Sequence, residues 1–489
     1  MDSISFNEIP LNIRVPYVYT EYDATRANQG PGIQPFKALM MGQRLAAGTI
    51  AALVPKRVTS VAQAAKFFGA GSNLHRMAIA WFKENTFTEL WMVAFDEPGA
   101  GVKATQTITF TGPATESGTI ALYIAGERVQ VGVTSTDTAT AIATAAVAAI
   151  NLNTNLPVVA TSAAGVVTLT AREKGVLGNM NTVRANYYEG EVTPAGVGIA
   201  FATGVTGTGV VDLTTLWAVL GDEHYNVFVM PWNDAATLAV LSDETEDRAG
   251  PLRQIETVAF SAKDDTHGNL GTFGNARNDK FLTVIGVYKS PTPSYEIAAS
   301  YAAVGAYYLA IDQARPLQTL ELSHVLAPAL VDRFTQQENN LLLYDGIATI
   351  YFDAQGNTRL QRTITTYQEN ALGADDPAYL DVETLYTLSY IRWSVRTRIL
   401  LKFPRHKLAN DGTRFGSGQA VVTPKIMKAE LVSLFEEWEN LALVEGSDQF
   451  QKDLIVIRNA SDPNRLDVRL PPDLVNQLRV TAIQIQFLV

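Results

Sequence analysis

The groups in this chain able to do chemistry are few: five histidines, no cysteine, and two pairs of adjacent aspartates in polar surroundings. His75, His224, His267, His324 and His406 never fall three to five residues apart, so no H-E-x-x-H or similar metal-binding spacing exists. A histidine base paired with a nucleophile across the fold is left open by spacing alone. The absence of cysteine removes thiolate zinc sites, iron–sulfur clusters, disulfides and cysteine nucleophiles together. Ser417 lies in Gly416-Ser417-Gly418, which is not a nucleophile elbow, and it follows the polar Asn410-Asp411-Gly412 rather than a strand. Gly69-Ala70-Gly71 precedes a helix as phosphate-binding glycines do. Leu74, however, stands where the third glycine belongs, a helix and not a strand comes before, and no Walker lysine follows. Asp264-Asp265 and Asp375-Asp376 sit in loops and read as solvated turns rather than an acid–base dyad or a calcium loop. The expectation is a protein with no catalytic residue, no cofactor and no metal.

Charge narrows the partners. The net charge of −11 over 489 residues disfavours direct nucleic-acid binding, which needs clustered cations to neutralise phosphates. No apolar run reaches the length of a membrane span, and Met1-Asp2-Ser3 lacks the basic start of a signal peptide, so a soluble chain that stays in the cytoplasm is expected. Against this acidic background Arg392, Arg396, Arg398, Lys402, Arg405, His406 and Lys407 concentrate positive charge on one helix and its exit. Cations near a helix C-terminus are favoured by the macrodipole alone. The functional alternative is a basic face that registers on an acidic protein.

The elements that would position these groups read as α/β, interrupted once. Lys37–Gly42, Leu90–Phe95, Tyr225–Pro231 and Lys280–Gly286 are apolar runs of buried-strand length. They alternate with helical patterns at Val61–Phe68, Leu74–Glu84, Ala235–Ala249 and Tyr295–Ile311, which argues for a largely parallel sheet. From Lys103 to Gly209 the chain turns rich in Thr, Ala, Gly and Val and poor in charge. Alternating strands and one helix, Thr138–Ile150, suggest an independent inserted α+β module between glycine-rich junctions. From Ala348 onward a hairpin, helices at Val382–Phe403 and Thr423–Leu443 and three further strands suggest another α+β part. The organisation expected is an extended arm at 1–24, an α/β core at 25–102 plus 210–345, the inserted outer module at 103–209, a C-terminal α+β domain at 346–476, and a last strand at 477–489.

Both ends of the chain are extended and apolar. Ile483, Ile485, Phe487 and Val489 alternate with polar residues and share one strand face. Near the start, Ile13, Val15 and Val18 lie in a segment whose Pro10 and Pro16 exclude helix. Such strands must pair, either within their own subunit or by exchange with a neighbour.

Taken in order, the Ile4-Ser5-Phe6-Asn7-Glu8-Ile9-Pro10 arm, Gly30-Pro31-Gly32, Phe67-Phe68-Gly69-Ala70-Gly71-Ser72, Glu89-Leu90-Trp91, the Gly/Thr/Ala-rich module, the Arg392–Lys407 helix and the Pro424 helix resemble a contractile tail sheath protein of Mu-like myophages. The resemblance covers nearly the whole chain. It implies a helical stack of hexameric rings around a tail tube, contraction that drives the tube through the host envelope for DNA delivery, and a core subtilisin-like in shape without a triad. It further implies contacts with tube, baseplate and tail terminator proteins, assembly in the host cytoplasm, and a place in the virion. By the same analogy Arg392 and Arg396 are the first candidates to face the tube, with Lys425 and Lys428 as rivals. The alternatives are an α/β hydrolase-like enzyme and a virion-surface carbohydrate-binding protein using the inserted module.

Overall fold

The computed structural model describes residues 34–488. The expectations for Ile13, Val15, Val18 and Val489 lie outside the described residues. The chain divides into two compact units. Among the described residues, one holds 36–389 and 476–488, the other 390–475.

The larger unit is built on a six-stranded sheet in the order Leu282–Val287, Val258–Asp264, Val227–Val229, Lys37–Gln43, Glu89–Phe95, Lys56–Val58. The first five strands are parallel and Lys56–Val58 is an antiparallel edge. Numbered along the chain, the parallel strands run 2-1-3-4-5, a doubly wound order that reverses between Lys37–Gln43 and Val227–Val229. Both faces are covered, which explains why these strands read as unbroken apolar runs. Ala38, Met40, Val227, Val229, Phe260 and Ile285 pack with Trp81 and the helix Ser294–Ile311 on one side. Leu39, Met41, Phe228, Met230, Ala259 and Val284 pack with Leu216, Leu238 and Leu241 on the other.

Local signals start the helices. Ser60 and Ser72 cap Val61–Phe68 and Asn73–Glu84 by accepting from the amides of Gln63 and His75 at 3.3 and 3.1 Å. Asp234 does the same for Ala235–Ala249. The strand Val258–Asp264 and the helices Thr214–Leu220, His267–Asn275 and Gln336–Tyr344 add elements that the apolar patterning alone did not reveal.

The insert starts and ends where Val102 bridges Thr208. It contains a four-stranded antiparallel sheet (Gly198–Thr203, Lys103–Thr111, Val166–Lys174, Val158–Ala163) and a three-stranded one (Glu127–Val133, Gly118–Ile124, Val183–Ala185). The helix Ala139–Leu152, capped by Thr138, buries Ile142, Ala143, Ala146 and Ile150 among them. This core is its own, yet the insert clusters with the parallel sheet as one unit.

The expected boundary at 346 is displaced. Ala348 bridges Ile285, the Thr366 amide donates to Leu282 O at 2.9 Å, and the Thr283 hydroxyl donates to Ile364 O at 2.6 Å. These bonds extend the parallel sheet's hydrogen bonding into 348–366, so this stretch, with its hairpin Thr349–Phe352 and Thr358–Arg362, belongs to the larger unit. The division falls inside the continuous helix Val382–Lys402.

The smaller unit packs the end of that helix against Pro424–Asn440, started by the Thr423 cap with proline at the first position. Met427, Leu431, Leu434, Phe435 and Trp438 form its core; Phe450 stacks on Phe435 at 4.0 Å, and Trp438 Nε1 donates to Ser394 Oγ at 2.9 Å. A hairpin, Ile455–Arg458 with Leu466–Arg469, completes it.

Candidate functional site

In a doubly wound sheet a ligand would lie beyond the carboxyl ends of the strands, at the point where the order reverses. Here that crevice is filled by the insert's own backbone. Gln43, at the end of its strand and 1 % exposed, donates to Lys174 O at 2.8 Å, and Gly175 runs so close that a Cβ on it would lie 3.2 Å from Gln43 Oε1. Leu177, fully buried, joins the core cluster of Leu39, Met41 and Phe228. Glu173 accepts the Asn73 amide at 2.8 Å, at the start of the helix Asn73–Glu84. Burial pushes the Glu173 carboxyl up to about 8, against the smaller opposing pull of that hydrogen bond.

What remains open there is a cavity of about 280 Å³ lined by residues including Asn179, Asn233, Lys263, Asp264 and Ser294. Its polar groups are occupied: Asn233 Nδ2 donates to Ala262 O at 3.0 Å, Ser294 Oγ donates to Met180 Sδ at 3.0 Å, and Asp264 accepts the amides of Lys289 and Ser290 at 2.7 and 3.1 Å. Burial, the largest influence on Asp264, lifts its carboxyl to about 6.

Each histidine makes contacts within the fold. His75 is buried, accepts the Gly71 amide on Nδ1 at 3.0 Å, and is lowered to about 4 by burial. His224 and His267 reach the carbonyls of Glu256 and Glu338, and His406 packs edge-on to Phe403. His324 Nε2 lies 2.7 Å from Glu296 Oε2 in a buried ionic node. There Arg76, 1 % exposed, holds the fully buried Glu296 with Nε and Nη2 at 2.8 and 2.9 Å, and reaches into the insert to Glu127 at 2.8 Å and Ala125 O at 3.1 Å. Burial opposes the Arg76 charge, but Glu296 and Glu127 more than offset it and hold the guanidinium's affinity for its proton above the usual range. The partners are 51 and 220 residues away from Arg76, so the node leaves no local trace in the sequence. Gly71 serves close approach rather than phosphate: its φ is +79° and a Cβ would meet Leu156 O of the insert at 2.6 Å. Ser417 is exposed in a loop, Asp376 accepts the Tyr367 hydroxyl at 2.7 Å, and Asp265 accepts from Asn269 at 2.7 Å. Among the described residues no group of three or more His, Asp or Glu could hold a metal ion, and no helix is long and apolar enough to cross a membrane.

The remaining candidate surfaces lie outside the crevice. Residues 480–488 form no strand in the single chain; Ile483, Ile485 and Phe487 are 79, 83 and 79 % exposed. Within the described residues of one copy, this alternating segment joins no ladder. The hairpin Ile455–Arg458 with Leu466–Arg469 is a two-stranded sheet with Ile455, Ile457 and Val468 exposed by 44, 54 and 41 %. Arg398 is buried against Glu430 and Glu437 at 2.8 and 2.5 Å, and Lys402 pairs with Glu430 at 2.8 Å, whereas Arg392 and Arg396, one turn apart, are exposed. Lys425 is exposed too, but Lys428 donates to Leu454 O at 2.8 Å and is spent on holding the helix Ser447–Asp453.

The structure thus combines a doubly wound α/β core, whose switch-point crevice the insert narrows to that cavity, with apolar side chains left exposed on the last residues and on the C-terminal hairpin. Residues 206–366 match the phage tail sheath protein central domain, and residues 374–488 match the phage tail sheath C-terminal domain. The Mu-like prophage FluMu tail sheath protein of Haemophilus influenzae is 43 % identical over 486 residues, covering 99 % of this chain and 100 % of that protein. The chain belongs to the phage tail sheath protein family. Its fold is similar to those of the sheath tail proteins of Desulfitobacterium hafniense (TM-score 0.50, 14 % identity, 95 % of this chain and 97 % of that one) and Listeria innocua (TM-score 0.50, 11 % identity, 92 % and 94 %).

Proposed function

We propose that this chain is the repeating subunit of a contractile tail sheath, polymerising helically in stacked hexameric rings around a tail tube and linked from copy to copy by donated strands. The observation that carries the linkage is the exposed arm: Ile483, Ile485 and Phe487, which alternate with polar residues in the sequence, are exposed in the single chain, and the smaller unit has a two-stranded hairpin with open edges. Adding the arm of one copy to the Ile455–Arg458/Leu466–Arg469 hairpin of another satisfies both, because main-chain ladder bonds supply affinity and alternate side chains supply register. The N-terminal Ile13, Val15 and Val18 are the second arm in this reading.

Contraction then needs no nucleotide site. An extended packing trapped behind a kinetic barrier can relax by rigid-body repacking while the ladders persist. The core acts as a subtilisin-like shape without a triad, and its filled crevice supports a structural rather than enzymatic role. Tube, baseplate and tail terminator proteins are the proposed partners, with Arg392 and Arg396 toward the tube, assembly in the host cytoplasm and the virion tail as destination. The test is electron microscopy of the full chain and of a truncation lacking residues 483–489. Striated hollow tubes from the first and only dispersed, folded particles from the second are expected. Tubes of normal length from the truncated chain would sink strand donation, and glycan binding by the intact chain that survives loss of the arm would favour the carbohydrate-binding alternative.

A further inference from the structure

The exposed arm has a sharply defined root. Residues 476–488 group with the larger unit, and from Val480, 82 % exposed, every described residue is exposed. Three contacts hold the root. Gln477 Nε2 donates to Ala314 O at 3.4 Å, Gln318 Nε2 donates to Leu478 O at 3.2 Å, and Arg479 closes the seat. Its Nη2 is 3.1 Å from Asp381 Oδ1 and 3.1 Å from Glu383 Oε2, the latter an ion pair without hydrogen-bond alignment. Arg479 is 13 % exposed and Glu383 is fully buried.

The socket is built independently of the arm. Arg362 grips Asp381 with two bonds of 3.0 Å, and Glu383 Oε1 accepts the Leu317 amide at 2.8 Å and the Thr363 hydroxyl at 3.1 Å. Both carboxylates flank the first residue of the helix Val382–Lys402, where the macrodipole favours negative charge. Two arginines face two carboxylates, and only Arg479 belongs to the arm.

We propose that Arg479, seated on the Asp381–Glu383 pair, is the tether that fixes the root of the donated arm to the core unit, so that load from a neighbouring subunit enters the core at the head of the helix Val382–Lys402. This rests on the strand-donation reading above. The residues beyond the tether, 480–489, span roughly 33 Å when extended, and releasing 476–479 as well adds about 13 Å of slack. With that slack, tension passes to Val475 in the smaller unit, whose amide donates to Leu443 O at 3.1 Å, instead of to the core.

The chain has no cysteine, so two introduced cysteines give clean spin labels on the full-length protein. Labels at Val480→Cys and at the exposed core position Leu330→Cys are compared with and without Arg479→Met, by double electron–electron resonance. A narrow distance distribution should broaden by about the 13 Å of released chain. Arg479→Lys, able to hold one carboxylate, should fall between, and Gln318→Ala gives the same reading should Arg479→Met fail to fold. An unchanged width in these variants overturns the tether. In assembled tubes, Arg479→Met should still form filaments but break into short fragments when contraction is triggered by mild denaturant. Intact contracted tubes of wild-type length overturn the load-bearing role. If the chain lacking 483–489 still assembles, strand donation itself fails, while the distance measurement still judges the seat on its own.

Discussion

Replacing Glu173 by glutamine should stabilise this protein, and increasingly so as pH rises. The side chain is 5 % exposed, and burial lifts its carboxyl from the ordinary 4.5 to about 8. A folded state that prefers the neutral acid is most stable below pH 4.5, where the unfolded chain is protonated too. It loses stability as pH climbs through the window to 8, because the unfolded chain has already released its proton. At about 1.4 kcal/mol per pH unit, the full window amounts to about 5 kcal/mol, and about 3 kcal/mol is already lost at pH 7. Glutamine keeps an acceptor for the Asn73 amide and carries no charge at any pH. Glu173 Oε1, the atom that the new amide group replaces, is buried and has no hydrogen-bond partner among the described residues. His75 works in the opposite direction: lowered to about 4 by burial, it contributes stability above pH 6.5 that is lost as pH falls toward 4. The difference between variant and wild type cancels that background. Urea unfolding of Glu173→Gln and wild type at half-unit steps from pH 4.5 to 9 should give a gap near zero at the acid end, widening to a plateau above pH 8. A gap that is absent at pH 8, or constant across the range, would refute the assignment of a neutral buried Glu173.

Three other outcomes follow from the same contacts. Arg76→Met strands the buried Glu296 and should cost about 3–5 kcal/mol by thermal or urea unfolding, while Arg76→Met with Glu296→Gln should recover much of it; a double variant as unstable as the single would discount the ionic node. Gly71→Ala, at φ +79° with Leu156 O 2.6 Å from the new Cβ, should cost roughly 1–3 kcal/mol or more and loosen the insert, read as faster proteolysis between 103 and 209. Charge reversal at Arg392 and Arg396 should weaken co-sedimentation with tube protein in a salt-dependent manner, whereas Lys428→Met should lower stability; equal tube binding by the first variant would remove that helix from the tube-facing set.

The insert illustrates how far composition carries. Its glycine-rich junctions and low charge mark a separate module, and it does have its own core. Its independence is another matter: Leu177 is part of the core beneath the parallel sheet, and Glu127 neutralises Arg76. Excision of 103–209 removes pieces of both, so the expectation of a detachable appendage does not fit these contacts.

The sequence alone determined what depends on near neighbours. Ser60, Ser72, Asp234 and Thr423 with Pro424 start helices because a cap acts within one turn, and apolar runs at 37–42 and 90–95 mark strands buried on both faces. It also determined the alternation of the last residues, and the ordered motifs from which the family resemblance arose. Only the tertiary structure decided which carboxylate meets which arginine, because Arg76 and Glu296 are 220 residues apart and Arg479 and Asp381 are 98. It decided that the boundary lies within the helix Val382–Lys402 and not at 346, since a continuous helical period has no mark where packing changes partner. And it decided that the final alternating segment is no strand in a single copy, because a strand is defined by the ladder it joins, and pairing is a property of two strands rather than of one residue pattern.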